Sequence, residues 1–173
     1  MNKAIIIIDV QNDYFPGGAL PLWNAEETLD RILNCVQQAG QMGVPVILVQ
    51  HIVKPEQEDV GFFIAGTFGV EIRKELLEAL PEAPIIVKHY TDAFRETGLA
   101  RLLDDMGIEE ILICGMQTQN CVGLSAISQY ASKYRVALLA DCCTAPMPVV
   151  HALALEGFGD IIPVLESGQA LKG

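Results

Sequence analysis

Basic residues are scarce in this 173-residue chain: eleven lysines and arginines face twenty-two acidic residues, and no basic cluster interrupts the net charge of −11. Binding to a phosphate backbone needs such a cluster, so no nucleic-acid partner is expected. Long apolar runs are also missing. The run Ala4-Ile5-Ile6-Ile7-Ile8 is ended by Asp9 before it reaches the length of a signal peptide or a membrane span. A cytoplasmic protein with no membrane partner is therefore expected. There is no CxxC pair, the five cysteines are an odd number, and Cys35 and Cys114 fall inside apolar patterns. That excludes a disulfide framework and fits free thiols in a reducing compartment. No internal repeat, low-complexity tract or interdomain linker is visible, so residues 1–173 read as a single domain.

What is present is apolar. Hydrophobic residues make up 51% of the chain against 19% charged, which excludes disorder. A mean hydropathy of +0.34 is high for a monomer and points to a homo-oligomer, a dimer or tetramer, although buried parallel strands raise the same figure. Short β-branched runs alternate with amphipathic stretches: Ala4–Ile8, a helix near Ala25–Gln41, Val44–Val49, a helix near Ile72–Leu80 and Ile85–Val87. Beyond these come a helix near Leu99–Met106, the strand Glu110–Cys114, a helix near Gln119–Tyr134, Val136–Ala140, a helix near Val149–Glu156 and Asp160–Val164. This rhythm predicts an α/β fold, a three-layer, Rossmann-like, open and mostly parallel six-stranded sheet with helices on both faces. The stretch from Ile52 to Gly69 fits neither pattern and reads as a long loop over a site.

Ligands gather at the carboxyl ends of strands in such sheets, and three predicted strands end in reactive groups. The first ends at Asp9, the third at Lys88, and the fourth runs through a tight turn to Cys121 at a predicted helix start. Each has a plain structural reading alone: a loop-starting acid, a solvated strand end, a small core residue. Together they make a set. A thiol at a helix start is expected to ionise readily, a carboxylate can take its proton, a lysine can hold that carboxylate, and turn N–H groups can bind an oxyanion.

Three ordered motifs resemble the isochorismatase-like cysteine hydrolases, which include nicotinamidases and other small amidases. They are Asp9-Val10-Gln11-Asn12-Asp13-Tyr14-Phe15; Val87-Lys88 with Ala93-Phe94 and Thr97-Gly98-Leu99; and Gly115-Met116-Gln117-Thr118-Gln119-Asn120-Cys121-Val122. The resemblance implies a catalytic triad of Asp9, Lys88 and Cys121, a cis Met116–Gln117 bond, and an oxyanion hole from the Gln117 and Cys121 N–H groups. It also implies hydrolysis of a small amide through an acyl thioester, with release of ammonia or an amine.

Nicotinamidases of this family carry an Asp-x-His pair after the second strand and a further histidine in the next loop, which bind a metal. Here the segment reads Val49-Gln50-His51-Ile52-Val53-Lys54, with no histidine from there to Gly69. One histidine does not make a site, so no metal and no cofactor are expected, and nicotinamide is disfavoured as substrate. His51 and Tyr14 are the candidate substrate-binding residues. His51 also reads as a partly exposed loop histidine, and Phe62, Phe63 and Phe68 are further candidates for pocket walls. His89, His151, Asp13 and Asp141-Cys142-Cys143 are expected to be structural. The rival functions are a vinyl ether hydrolase of the isochorismatase type, against which Cys121 argues, a non-catalytic small-molecule-binding protein, redox chemistry at the thiol, and a nicotinamidase with an atypical metal site.

Overall fold

The computed structural model describes residues 2–172, apart from the side chain of Glu58; Met1 and Gly173, the outer bounds of the expected domain, lie outside the described residues. Six strands form one parallel sheet: β1 (Lys3–Ile8), β2 (Val46–His51), β3 (Ile85–Lys88), β4 (Glu110–Met116), β5 (Arg135–Thr144) and β6 (Val164–Leu165). Their spatial order is β3-β2-β1-β4-β5-β6. β1 lies in the middle, and its five residues Ala4–Ile8 are all buried, as a strand covered on both faces requires. Connections run outward from β1 to β3 and then return to β4. Right-handed crossovers therefore change faces between β1 and β4, which opens a crevice at the carboxyl ends of those two strands.

The first crossover is α1 (Ala25–Gln41), whose buried stripe Leu29, Ile32, Cys35, Val36 and Ala39 follows the helical period. The remaining helices are α2 (Lys74–Ala79), α3 (Leu99–Asp105), α4 (Gly123–Ala126), α5 (Pro148–Gly159) and α6 (Ser167–Lys172). None is long and apolar enough to cross a membrane among the described residues.

Three expectations need correction. The helix placed near Gln119–Tyr134 is only a π turn, Thr118–Val122, followed by α4. Serine side chains end it: Ser125 Oγ accepts the Ala93 N–H at 2.9 Å, Ser128 Oγ accepts the Tyr130 N–H at 3.2 Å, and the chain leaves in turns. β5 runs on to Thr144, so Asp141, Cys142 and Cys143 lie within it. β6 starts at Val164 because α5 continues to Gly159 and the Ile161 and Ile162 N–H groups fold back onto the Phe158 carbonyl.

Gly115 shows how closely the central strands approach. It lies opposite Ile8 at φ +114°, and a Cβ there would overlap the Ile8 carbonyl oxygen. Only glycine fills such a position without strain.

Candidate active site

β1 ends in a sharp change of direction. Asp9 has φ 54°, a left-handed conformation that costs an aspartate roughly 1–3 kcal/mol and persists where surrounding bonds enforce it. Its N–H donates to the Val49 carbonyl at 3.0 Å, and its own carbonyl accepts from Gln11 at 2.9 Å. The turn leaves the Asp9 side chain fully buried at the mouth of the crevice.

The third strand is not the neighbour of the first, because β2 lies between them. Two strand spacings are about 9.6 Å, so a short side chain on β3 could not reach Asp9. Lysine can. Lys88 Nζ lies 2.9 Å from Asp9 Oδ2, with both side chains at 0% exposure. It also lies 3.1 Å from Cys121 Sγ. The parallel register pairs His51, the last residue of β2, with Lys88, and Lys88 Nζ is 2.9 Å from His51 Nδ1. A bond to the Tyr90 carbonyl at 3.0 Å completes its contacts. One buried ammonium thus gathers Asp9, His51 and Cys121.

The ammonium has three hydrogens for four neighbours, and Asp9 Oδ2 lies as near to it as His51 Nδ1 does, so the carboxylate is held chiefly by charge. Neither of its carboxylate oxygens has a well-aligned hydrogen bond among the described residues. A buried acceptor with free lone pairs is costly unless it is used. It is poised to take a proton.

The protonation states follow from the same contacts. Burial pushes the Asp9 carboxyl up, but Lys88, together with His51 and Cys121, more than offsets this and holds it below the usual carboxylate range. Burial disfavours the Lys88 charge, and Asp9 and Cys121 restore it, leaving the lysine above its ordinary value. The thiol departs from expectation. Burial and then the Asp9 charge push Cys121 up, with Lys88 opposing, and a helix of four residues adds little dipole. The resting site therefore holds a carboxylate, an ammonium and a protonated thiol. The sign gives a prediction: Asp9→Asn removes an anion beside the sulfur and leaves the ammonium, so the pH midpoint of Cys121 alkylation by iodoacetamide should move down. An unchanged or higher midpoint, read by mass spectrometry of the labelled peptide, would contradict these couplings.

Cys121 follows the Met116–Gln117 bond, which is cis, and a turn in which the Asn120 and Val122 N–H groups donate to the Gln117 carbonyl at 3.0 and 3.2 Å. Tyr14 is buried beside this turn. Burial pushes its phenol up, the Asp9 and Cys121 charges add to that, and a Gln117 side-chain hydrogen bond offsets part of it. Phe63 from the 52–69 loop packs edge-on against Tyr14 at 4.7 Å between centroids and lies 5.7 Å from the His51 ring. Tyr14, Phe63 and His51 thus form an aromatic wall on one side of the thiol. Phe68 does not belong to it, since it is 75% exposed.

Other candidates have structural duties. Asp13 accepts the Phe63 N–H at 2.7 Å and the Ala19 N–H at 3.1 Å, pinning the loop to the first motif. Asp141 accepts the Ser167 N–H at 2.8 Å. His89 Nδ1 meets the Ile52 carbonyl at 2.8 Å, and His151 Nδ1 meets Thr118 Oγ1 at 2.8 Å. One participant was missed by sequence reasoning. Gln11 accepts the His51 N–H and donates to the His51 carbonyl, both at 2.8 Å, like an added strand residue, and also donates to the Val70 carbonyl at 2.7 Å. No local pattern shows this, because its partners lie 40 and 59 positions away.

A resident metal does not fit these residues. Asp9, His51 and Cys121 are the one group of three donors within 4.8 Å among the described residues, and the Lys88 ammonium fills its centre. Val53, two residues beyond His51, is a buried aliphatic residue with no donor atom to offer.

The chain matches the Isochorismatase domain model over residues 3–165. It is 34% identical over 143 residues to an uncharacterized isochorismatase family protein, YddQ, of Bacillus subtilis (strain 168), covering 83% of this chain and 78% of the relative. A nicotinamidase of Acinetobacter baylyi is 25% identical over 181 residues, covering 83% and 82%. The crystal structure of an isochorismatase family protein from Desulfovibrio vulgaris superposes with a TM-score of 0.89 at 26% identity, covering 98% of this chain and 96% of that one.

Proposed function

The chain belongs to the isochorismatase family of hydrolases, and we propose that it is a cysteine hydrolase that opens a small amide or related C–N bond through an acyl thioester. The observation that carries this reading is the buried Lys88 ammonium within 3.1 Å of a carboxylate and a thiol, with the carboxylate oxygens free to accept a proton. A relative named as a nicotinamidase supports an amide as the bond class.

In this mechanism Asp9 accepts the Cys121 proton as the sulfur attacks the carbonyl carbon, and the Gln117 and Cys121 N–H groups hold the oxyanion. The C–N bond breaks and Asp9 returns the proton to the leaving nitrogen. Water then gives a proton to Asp9 and attacks the thioester, the C–S bond breaks, and the sulfur recovers its proton as the acid leaves. Lys88 stays cationic and keeps both partners in place. Tyr14 and His51 line the acyl group. The test is to screen primary amides, ureas and carbamoyl compounds for ammonia release and to acid-quench turnover for mass analysis. An acyl adduct on Cys121 is expected, and rapid turnover without one would sink the thioester step.

The working unit in this reading is one hydrolase domain, in the cytoplasm, assembled as a homo-oligomer. α5 supports assembly: despite the sequence Val149-Val150-His151-Ala152-Leu153-Ala154-Leu155, none of its residues is buried, and Leu153 is 62% exposed. A helix this apolar is normally covered on all sides. Leu153→Asp should reduce the solution mass from that of an oligomer to that of a monomer by light scattering. A wild-type protein already monomeric at tens of micromolar would remove the proposal.

A further inference from the structure

His51 is a polar side chain in contact with the catalytic set to which the hydrolytic cycle above gives no proton or bond to handle. It is held from two directions. Its main chain is clamped by the Gln11 side-chain amide, with both bonds at 2.8 Å. Its ring nitrogen Nδ1 faces the Lys88 ammonium at 2.9 Å. An ammonium has three hydrogens and no lone pair, so it can only donate, and Nδ1 must accept. A ring that accepts at Nδ1 carries its hydrogen on Nε2. That nitrogen has no partner among the described residues, although the ring is 15% exposed on the aromatic wall beside the thiol.

We infer that Lys88 locks His51 as the Nε2–H tautomer, making this ring a fixed hydrogen-bond donor to an acceptor atom on the acyl part of the substrate. The inference rests on the amide-hydrolase reading and narrows its substrate class. The favoured amides carry an oxygen or unprotonated nitrogen acceptor close to the scissile carbonyl. Purely aliphatic amides lack it and, once seated over the partly exposed ring, cut Nε2–H off from water without offering a partner, which makes specificity of this kind large. The same contact leaves Nδ1 no lone pair for any other partner, since it is already given to Lys88.

The experiment uses nitrogen-15-labelled intact protein and long-range proton–nitrogen correlation of its three histidine rings at about pH 8.5, above the ordinary imidazole range. His51→Gln assigns the signals by loss. The expected pattern for His51 is a bare Nδ1 and a protonated Nε2. His89, whose Nδ1 meets the Ile52 carbonyl, should show the reverse and serves as the internal reference. Iodoacetamide then places an amide carbonyl on Cys121, and the Nε2–H signal of His51 should shift while the ring signals of His89 stay. A hydrogen on Nδ1 of His51 in the free protein, or a Nε2–H signal that ignores a fully alkylated Cys121, would overturn the inference. Failure of Cys121 to alkylate at all counts against the hydrolase reading instead, and the tautomer in the free protein still decides this one.

Discussion

The Cys121→Ala protein is expected to lose about 10⁴-fold or more of its amide hydrolysis, because the carbon–sulfur intermediate cannot form and only binding and oxyanion contacts remain. Burial makes the loss easy to interpret. Cys121 is 2% exposed and packed in the crevice, so removing one sulfur alters little of the surface or the fold. The substitution should cost stability on the scale of a small core deletion, far less than the effect on rate. Asp9→Asn should fall to a similar level, since the carboxylate serves both the acylation and the water step. The double variant should be no worse than either alone, because groups that act as a unit are lost together. Initial rates of ammonia release, normalised to folded protein, check all three. Losses that multiply in the double variant would mean that Asp9 and Cys121 act independently, contrary to the proposed cycle.

Lys88→Met is expected to destabilise the fold by about 3–5 kcal/mol, the usual consequence of removing one partner from a buried ion pair. Its side chain and that of Asp9 are both at 0% exposure, so the carboxylate left behind would be a poorly solvated, uncompensated charge. Urea unfolding gives the measurement, and adding Asp9→Asn to Lys88→Met should restore most of the loss by removing the stranded charge. The pH dependence supplies a second check. In the wild type, the Asp9 carboxyl is lowered, so its stabilising contribution is present above the unfolded carboxyl range near pH 4 and is lost as pH falls through the folded value. In Lys88→Met, burial dominates and raises that carboxyl. The sign then reverses: the penalty at neutral pH is relieved on acidification, and the stability gap from the wild type narrows. A gap that widened toward acid would show that Lys88 does not hold Asp9 ionised.

The parallel sheet could be read from the alternation of β-branched runs with amphipathic stretches, and α1 matched in both bounds because its buried stripe is strongly periodic. The second half was harder to read. The apolar spacing of residues 119–134 suits a helix, but the serines at 125 and 128 bond elsewhere and break it. Asp9, Lys88 and Cys121 could be picked out because reactive side chains at strand ends are unusual. The state of the thiol could not. A helix start suggests easy ionisation, while burial and a neighbouring carboxylate, which only the fold brings together, push the other way. The Gln11 clamp and the His51–Lys88 contact were hidden for the same reason, since strand order is not written in any local pattern.

The interposition of β2 between the strands that carry Asp9 and Lys88 has an evolutionary consequence. It places position 51 against the cation without making it the nucleophile, the base or the cation itself. A change there can alter what the pocket asks of its guest while the nucleophile, the base and the cation themselves are kept. Lineages diverging on this scaffold would thus have an inexpensive site for innovation, one codon at the tip of a buried strand, and a laboratory seeking new substrates would begin a saturation library at the same place.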